Sequence, residues 1–496
     1  EQDHPDRLRR GLDAADRQQS VRTRLRVGAI ALVVVLALVS AVAAVIAVTQ
    51  ATDLAAQRNA AEHTAILSSI EGMVRSDPSL AARILAVADE HYPDDRAVRS
   101  GVLASYMSPL ARSLPGHSGA VYDVVYSRDG RLLATASNDR TVRLWERDAG
   151  GEHPFREVAT LDGFGSFVTS VTFDPTARLV AAASGDGTVR VWNIADPSAP
   201  RQIATLRPGT GTAYLTRFSP SGRHLAATSD AGTVTVYRMA GDEPPEQTSV
   251  LRGHDGPVRT LAFNAAGTVL ATGGEDQTVR LWADADTDQP RPAGAPITGF
   301  PSITHGLAFL PGDQVLAVTG DSANVQLWNV ADPSAPRPED SALAGVTAGS
   351  WSVAANSQQP LLARAGLDGV VRVWNTTTPA EPLPLWDLQR SAAAGAIRMM
   401  STSFSPDGTE LAVGRSDGDV DVWTLPAGLL PDRGAVISGI DVDQSGRKLV
   451  TVGADARMNV WTRGDRGWQR RSSIGIENRA NNRPRVAMTT DGTLIA

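Results

Sequence analysis

One segment recurs along most of this chain, and it constrains the fold more than any other feature. Its clearest copy runs from Gly253 to Trp282 and contains three short runs rich in Val, Leu and Thr, separated by turn-forming residues. That composition is typical of β-strands joined by tight turns. The same offset of 29 residues from glycine to tryptophan recurs at Gly116–Trp145, Gly163–Trp192 and Gly299–Trp328. Such a fixed period predicts an array of one repeated supersecondary unit.

The closing aromatic residue of the segment occurs eight times. The spacings are 47, 45, 45, 46, 46, 49 and 38 residues, between Trp145, Trp192, Tyr237, Trp282, Trp328, Trp374, Trp423 and Trp461. A period near 45 with a Gly-His start and a Trp end resembles the WD-repeat β-propeller family, which has four strands per blade. The resemblance covers about residues 110–496 and implies an all-β propeller.

The number of repeats exceeds an ordinary ring of seven. We expect residues 110–437 to form a seven-bladed propeller from repeats 1–7, and residues 438–496 to hold repeat 8 and a truncated repeat 9. An eight-bladed ring is the alternative. The short last spacing, 38 residues from Trp423 to Trp461, favours a break in regularity after repeat 7.

Two repeats carry a complete polar set. In the family that the chain resembles, these side chains form a relay from tryptophan through a hydroxyl and histidine to aspartate. The resemblance implies structural tetrads, because a buried imidazole or indole N–H without a partner costs stability. The sets are His117, Thr135, Asp139 and Trp145 in repeat 1, and His254, Thr272, Asp276 and Trp282 in repeat 4.

Other repeats have lost members of the set. Repeat 2 has Phe164 and Ala182 where His and Thr are expected, repeat 5 has Phe300 at the His position, and repeat 6 has Arg364 at the hydroxyl position. We expect these blades to pack through their apolar strand positions instead.

A catalytic role for the His–Asp pairs is the alternative reading. The chain has no cysteine, and neither complete repeat contains a Gly-x-Ser-x-Gly nucleophile motif. The match at Gly414–Gly418 joins two predicted strands rather than a strand and a helix, so we interpret it as chance. The sequence therefore predicts no catalytic residue.

Composition narrows the range of ligands. The net charge is −7 and the pI is near 5.7, so no bulk basic surface indicates nucleic acid as a partner. Eight histidines lie far apart without metal-ligand spacing, and cysteine thiolates are absent. We therefore predict no nucleic acid, no metal and no cofactor.

The N-terminal region has a different character from the repeats. Seven arginines lie within residues 1–26, and the next 22 residues, Val27 to Val48, carry no charge. A helix of that length spans about 30 Å of hydrocarbon, so the run predicts a transmembrane helix. A buried core helix is the alternative. Because arginines favour the cytoplasmic side, we expect residues 1–26 to form a cytoplasmic linker and the propeller to lie outside the cytoplasm.

Residues 49–109 predict short helices that form a stalk between the bilayer and the propeller. Leu80, Ile84 and Val87 share one face of the second helix, which indicates packing. The order of basic linker, membrane span, helical segment and propeller resembles the C-terminal half of actinobacterial STAND-type NTPases. The run at Leu8–Ser20 is similar to the end of their linker. The resemblance implies an NTPase domain upstream of this chain.

Together these features favour a membrane-anchored interaction or sensor module of a bacterial signalling protein. Its propeller would act as a scaffold for a protein or peptide partner. A structural scaffold on the cytoplasmic face is the first alternative, and a propeller enzyme is the second. The sequence alone shows no coherent aromatic or charged set that would name the contact residues.

Overall fold

The computed structural model describes residues 40, 50, 82, 84–85, 87–88, 109–148, 154–323, 325–339, 343, 348–389, 397–426, 437–443, 445, 447–453, 457–464, 467–476 and 486–489. The chain divides into two compact units, Glu1–Gly72 and Met73–Ala496. All named strands belong to the second unit.

The described residues contain 32 strands that pair into eight four-stranded antiparallel sheets, so the expectation of an all-β repeat fold is confirmed. Blades 1 to 4 are β2–β5, β6–β9, β10–β13 and β14–β17. Their strands are β2 Val121–Tyr126, β3 Leu132–Ser137, β4 Val142–Arg147, β5 Phe155–Leu161, β6 Val168–Phe173, β7 Leu179–Ser184, β8 Val189–Asn193, β9 Arg201–Leu206, β10 Ala213–Phe218, β11 His224–Ser229, β12 Thr233–Ala240, β13 Glu243–Arg252, β14 Val258–Phe263, β15 Val269–Gly274, β16 Val279–Ala283 and β17 Arg291–Pro292.

Blades 5 and 6 are β18–β21 and β22–β25, blade 7 combines β26–β28 with the first strand β1, and β29–β32 form an eighth sheet. The strands are β1 Leu110–Leu114, β18 Thr304–Phe309, β19 Val315–Gly320, β20 Gln326–Asn329, β21 Arg337–Pro338, β22 Ser350–Ala355, β23 Leu361–Gly366, β24 Val371–Asn375, β25 Leu383–Leu388, β26 Met399–Phe404, β27 Glu410–Arg415, β28 Val420–Thr424, β29 Ile437–Val442, β30 Lys448–Gly453, β31 Arg457–Gly464 and β32 Gly467–Gly475.

Each blade buries both of its faces against its neighbours. All six residues of β3 and all six of β7 are buried, because a blade lies on either side of each strand. Ala134 and Ala136 of blade 1 pack against Val168 and Phe173 of blade 2. Small side chains on one face and larger ones on the next let adjacent sheets approach closely.

The innermost strands close into a ring of seven. Each of β2, β6, β10, β14, β18, β22 and β26 contacts the next, and β26 contacts β2. The N-terminal strand β1 completes blade 7 by pairing with β28, from Leu110 opposite Thr424 to Leu114 opposite Val420. Blade 7 therefore combines the first strand of the described chain with the last three strands of the ring. In this way β1 pairs with the edge of β28 that would otherwise be free.

The eighth sheet repeats the blade pattern outside this ring. Trp461 on β31 donates its indole N–H to the hydroxyl of Thr451 on β30, 3.0 Å away. On the inner strand β29, Ile440 is 60% exposed, whereas Val124 at the matching register position of blade 1 is 1% exposed. The face of the eighth sheet that carries Ile440 is therefore exposed, whereas the matching face of blade 1 is covered by a neighbouring blade.

Before Pro109, the described positions are helical but too scattered to define a helix: Ser40, Gln50, Ala82, Ile84, Leu85, Val87 and Ala88. Leu85 and Ala88 are buried and Val87 is 58% exposed, so the expected packing stripe is wrong at Val87. Apart from these positions, the predicted linker, membrane helix and stalk lie outside the described residues. Within the described part of the chain, no helix is long and apolar enough to cross a bilayer.

Candidate functional site at the mouth of the central channel

The four polar residues of repeat 1 form one chain of hydrogen bonds. Trp145 Nε1 donates to Thr135 Oγ1 at 3.0 Å, and Thr135 Oγ1 lies 2.7 Å from His117 Nε2. His117 Nδ1 lies 2.8 Å from Asp139 Oδ2. The Asp139 carboxylate can only accept, so His117 Nδ1 carries a proton and donates it to Asp139. Burial lowers the pKa of His117, so the imidazole is neutral and its unprotonated Nε2 accepts from the Thr135 hydroxyl.

Repeat 4 has the same geometry. Trp282 Nε1 donates to Thr272 Oγ1 at 3.0 Å, Thr272 Oγ1 lies 2.8 Å from His254 Nε2, and His254 Nδ1 lies 3.0 Å from Asp276. Burial lowers the pKa of both histidines, and hydrogen bonds from His254 and neighbouring groups hold the pKa of Asp276 below its ordinary value. All four side chains satisfy one another inside a blade, an arrangement without an open position for substrate.

Repeats 2 and 5, which have phenylalanine at the histidine position, use aromatic packing instead. The rings of Phe164 and Trp192 lie 5.6 Å apart in blade 2, and those of Phe300 and Trp328 lie 5.8 Å apart in blade 5. Blade 6 differs, because Arg364 is fully buried at the hydroxyl position. Its Nη2 donates to the carbonyls of Ala348 and Gly349, while its Nε and Nη1 have no hydrogen-bond partner.

The central channel forms a cavity of about 890 Å³, which is lined by residues of the inner strands of the blades. The second residues of six inner strands line the cavity near one end of the strands, an end that we call the mouth. They differ from blade to blade: Tyr122, Thr169, Tyr214, Arg259, His305 and Trp351. The second residue of β26, Met400, is buried.

Aromatic and charged groups alternate along one side of this mouth. The guanidinium of Arg259 lies 3.9 Å over the ring of Tyr214, and its Nε donates to Glu275 Oε1 at 2.7 Å. The hydroxyl of Tyr214 donates to Asp230, and burial together with this bond raises the pKa of Tyr214 to about 12. Blades 3 and 4 therefore hold a cation between an aromatic face and a carboxylate.

In blades 5 and 6, His305 occupies the register position that Arg259 has in blade 4, and its imidazole is neutral. His305 Nε2 lies 3.0 Å from Asp321 Oδ1, and the His305 ring lies 5.9 Å from that of Trp351. Burial and the nearby Arg259 lower the pKa of His305, although Asp321 acts in the opposite direction. Trp351 is 37% exposed, which is unusual for a tryptophan of this chain because the closing tryptophans are almost all buried.

Deeper in the channel, one ion pair joins the first and third blades. Arg217 Nη1 donates to Asp123 Oδ2 at 3.0 Å and to the carbonyl of Val171 at 3.1 Å. Asp123 also accepts a hydrogen bond from the backbone N–H of Val171. Burial raises the pKa of Asp123 despite the charge of Arg217. The ion pair and its bonds to Val171 therefore link blades 1, 2 and 3 around the channel. Among the described residues, no group of three or more His, Asp or Glu side chains is arranged to hold a metal ion.

Sequence reasoning identified the tetrads but not the mouth. The tetrad residues recur at the same place in two repeats, whereas the mouth residues share a register position and no chemical type. The available signal was the second residue of each inner strand, which is aromatic at Tyr122, Tyr214 and Trp351. That signal needs the strand register to be known first.

Three segments of the chain, residues 108–146, 155–193 and 245–283, match the family described as WD domain, G-beta repeat. They correspond to repeats 1, 2 and 4. Protein HIR1 of Yarrowia lipolytica is 40% identical over 79 residues, which cover 16% of this chain and 7% of that protein. A "Bromodomain and WD repeat-containing" protein of Dictyostelium discoideum is 37% identical over 70 residues, 14% of this chain and 3% of that protein.

The chain thus spans less than a tenth of the length of either curated relative. Residues 108–146, 155–193 and 245–283 are therefore similar to WD repeats, and the other blades share their four-stranded antiparallel topology.

Proposed function

We propose that this chain is a protein-interaction scaffold that holds a partner segment at the mouth of its central channel. The observation that carries the proposal is the ring of second-position residues, where Tyr122, Tyr214 and Trp351 line an open cavity of about 890 Å³. Aromatic side chains with limited rotamer freedom are typical anchors of protein interfaces. The tetrads, by contrast, are buried and satisfied within their blades, so they support the scaffold and leave binding to the mouth.

We propose further that the scaffold is anchored in a membrane and senses a partner outside the cytoplasm. The uncharged run Val27–Val48 and the seven arginines before it support this placement. The similarity of residues 8–20 to the linker of STAND-type NTPases supports an upstream nucleotide-hydrolysing domain whose activity the propeller would regulate.

Site-specific photo-crosslinking in cells tests the binding surface. A photoreactive phenylalanine analogue at Thr169, in the mouth, is expected to give a discrete crosslinked protein adduct. The matched control places the same analogue at Asp196, in an exposed loop at the blade edge. A second substitution in the mouth, Tyr122→Ala, should remove the adduct formed at Thr169. Equal adducts at both positions, or none in the mouth, would contradict the proposed surface.

Protease digestion of intact cells tests the proposed location. Cleavage of the repeats from outside would support a propeller beyond the membrane. Cleavage only after lysis would place the repeats in the cytoplasm and favour a scaffold at the inner face.

A further inference from the structure

Two pairs of neighbouring blades each place a basic residue at the mouth between an aromatic ring and a carboxylate. In blades 3 and 4, an aromatic ring and a carboxylate, Tyr214 and Glu275, flank the guanidinium of Arg259. In blades 5 and 6, the aromatic ring and the carboxylate belong to Trp351 and Asp321, and the residue between them is His305. Arg259 and His305 occupy the same register position of consecutive inner strands.

The second arrangement lacks the charge that the first contains. Burial lowers the pKa of His305, so the group beside Asp321 is a neutral imidazole, whereas the group beside Glu275 is a permanently charged guanidinium. The side chain of Asp321 is 46% exposed, and Trp351 is 37% exposed. Water thus reaches both groups, whereas the side chain of Arg259 is only 27% exposed between its partners.

The carboxylate and the indole both lie next to one imidazole. Asp321 Oδ1 lies 3.0 Å from His305 Nε2, and the ring centroids of Trp351 and His305 are 5.9 Å apart. Because both groups are exposed, a cationic side chain that enters the mouth meets a carboxylate and an indole beside the same ring. Tryptophan is the most favourable aromatic partner for a cation. The formal charge around the two blade pairs supports this, since Asp230, Glu275 and Asp321 outnumber Arg259.

We infer that the Trp351–Asp321 site, formed by Trp351, His305 and Asp321, binds a cationic side chain, arginine or lysine, of the protein partner. The inference rests on the proposed function and adds the chemistry that the partner must present. Arg259 shows, within the same chain, that the mouth accommodates a guanidinium between an aromatic ring and a carboxylate.

Fluorine NMR of the full chain labelled with 5-fluorotryptophan tests the inference. The chain has ten tryptophans, and Trp351→Phe identifies the resonance of Trp351. The probe is the acetylated, amidated tripeptide Gly-Arg-Gly, compared with the same peptide carrying citrulline, its neutral isostere. Saturable movement of the Trp351 resonance with the arginine peptide alone is expected. The Asp321→Asn variant should weaken binding roughly fivefold, since one exposed charge contact is lost.

The controls separate this inference from the proposed function. Asp196→Asn removes an exposed carboxylate outside the mouth and should leave the affinity unchanged. Equal binding of the arginine and citrulline peptides, or an unchanged affinity in Asp321→Asn, would overturn the cation site. If crosslinking from Thr169 still occurs in that case, the mouth remains a protein-binding surface with another chemistry. If neither the shift of the Trp351 resonance nor the crosslink from Thr169 is seen, both the cation site and the proposed protein-binding surface are refuted.

Discussion

Thr135 and Thr272 each stand at the centre of a hydrogen-bond chain that joins an indole N–H to a histidine ring. Each hydroxyl accepts from an indole N–H and donates to an imidazole nitrogen. Burial lowers the pKa of His117 and His254, although Asp139 and Asp276 act in the opposite direction. Because the four side chains of each tetrad are buried and bonded to one another, the tetrads act as structural bonds rather than proton shuttles.

Replacement of Thr272 by valine tests the relay in blade 4. Valine keeps the shape but leaves the buried Trp282 N–H and His254 Nε2 without a partner. We expect the free energy of unfolding to fall by about 2–3 kcal/mol, the cost of two unsatisfied buried groups. Chemical denaturation measures it. Thr205→Val, at an exposed position, is the matched control and should change the midpoint very little. Equal effects of the two variants would contradict the relay.

Replacement of Arg364, unlike that of Thr272, should raise the free energy of unfolding. Its guanidinium is buried with two nitrogens unpaired, and burial lowers its pKa to about 10. Methionine has a similar length and no charge to desolvate, so Arg364→Met should raise the free energy of unfolding by about 1–2 kcal/mol.

Thermal denaturation of Arg364→Met beside Arg207→Met, an exposed control, measures this gain. A lower midpoint for Arg364→Met would mean that its bonds to the carbonyls of Ala348 and Gly349 outweigh the burial of the charge.

At the scale of the strand, β1 has more influence than its five residues suggest. It is the outer strand of blade 7 although it precedes every other strand in the chain. The chain has no cysteine, so a disulfide between Leu110→Cys and Thr424→Cys can be introduced without competing thiols. Oxidation should raise the free energy of unfolding by about 5 kcal/mol in the chain-entropy limit, because it closes a loop that contains the whole ring.

A short-range disulfide provides the comparison for this experiment. Asn193→Cys and Arg201→Cys are paired across β8 and β9 within one blade. Their oxidation should give about half the gain in free energy of unfolding, since the loop is short. The difference between oxidised and reduced melting temperatures measures both effects. Equal gains would show that the pairing of β1 with β28 does not control opening of the ring.

The strands were predictable because each repeat carries its own local signal. The closing tryptophans, such as Trp145 and Trp282, mark the third strand of their blades, and turn residues mark the gaps. The mouth could not be predicted in this way. His305 and Trp351 are 46 residues apart and meet only because two inner strands become neighbours in the ring. The predicted membrane helix at Val27–Val48 remains a prediction, since only Ser40 of that run is described.

For the whole molecule, the histidines make stability depend on pH. The pKa values of His117, His254 and His305 are lower in the folded chain than in the unfolded chain. As the pH falls below about 6.5, the ordinary value, the unfolded state takes up protons first, so stability decreases. The lowered pKa values of Asp139 and Asp276 extend the loss below about pH 4, since their stabilisation disappears as the pH falls through the folded pKa.

The double variant His117→Phe, His254→Phe isolates the histidine contribution, because phenylalanine occupies this position naturally in blades 2 and 5. The decrease in melting temperature between pH 7 and pH 5 should be smaller in the variant than in the unchanged chain. Asp123, whose raised pKa acts in the opposite sense, is common to both proteins. An identical decrease would show that the two relay histidines do not titrate differently on unfolding.

The pairing of β1 with β28 also decides how the ring would respond to force. Leu110, where the chain enters the ring, lies opposite Thr424, where blade 7 ends. Tension between the segments before and after the ring would therefore pull on the same end of two antiparallel strands. The hydrogen bonds between β1 and β28 would break one pair after another, so β1 would separate from blade 7 while the other six blades kept their contacts. A ring built in this way opens under weak pulling at one defined seam.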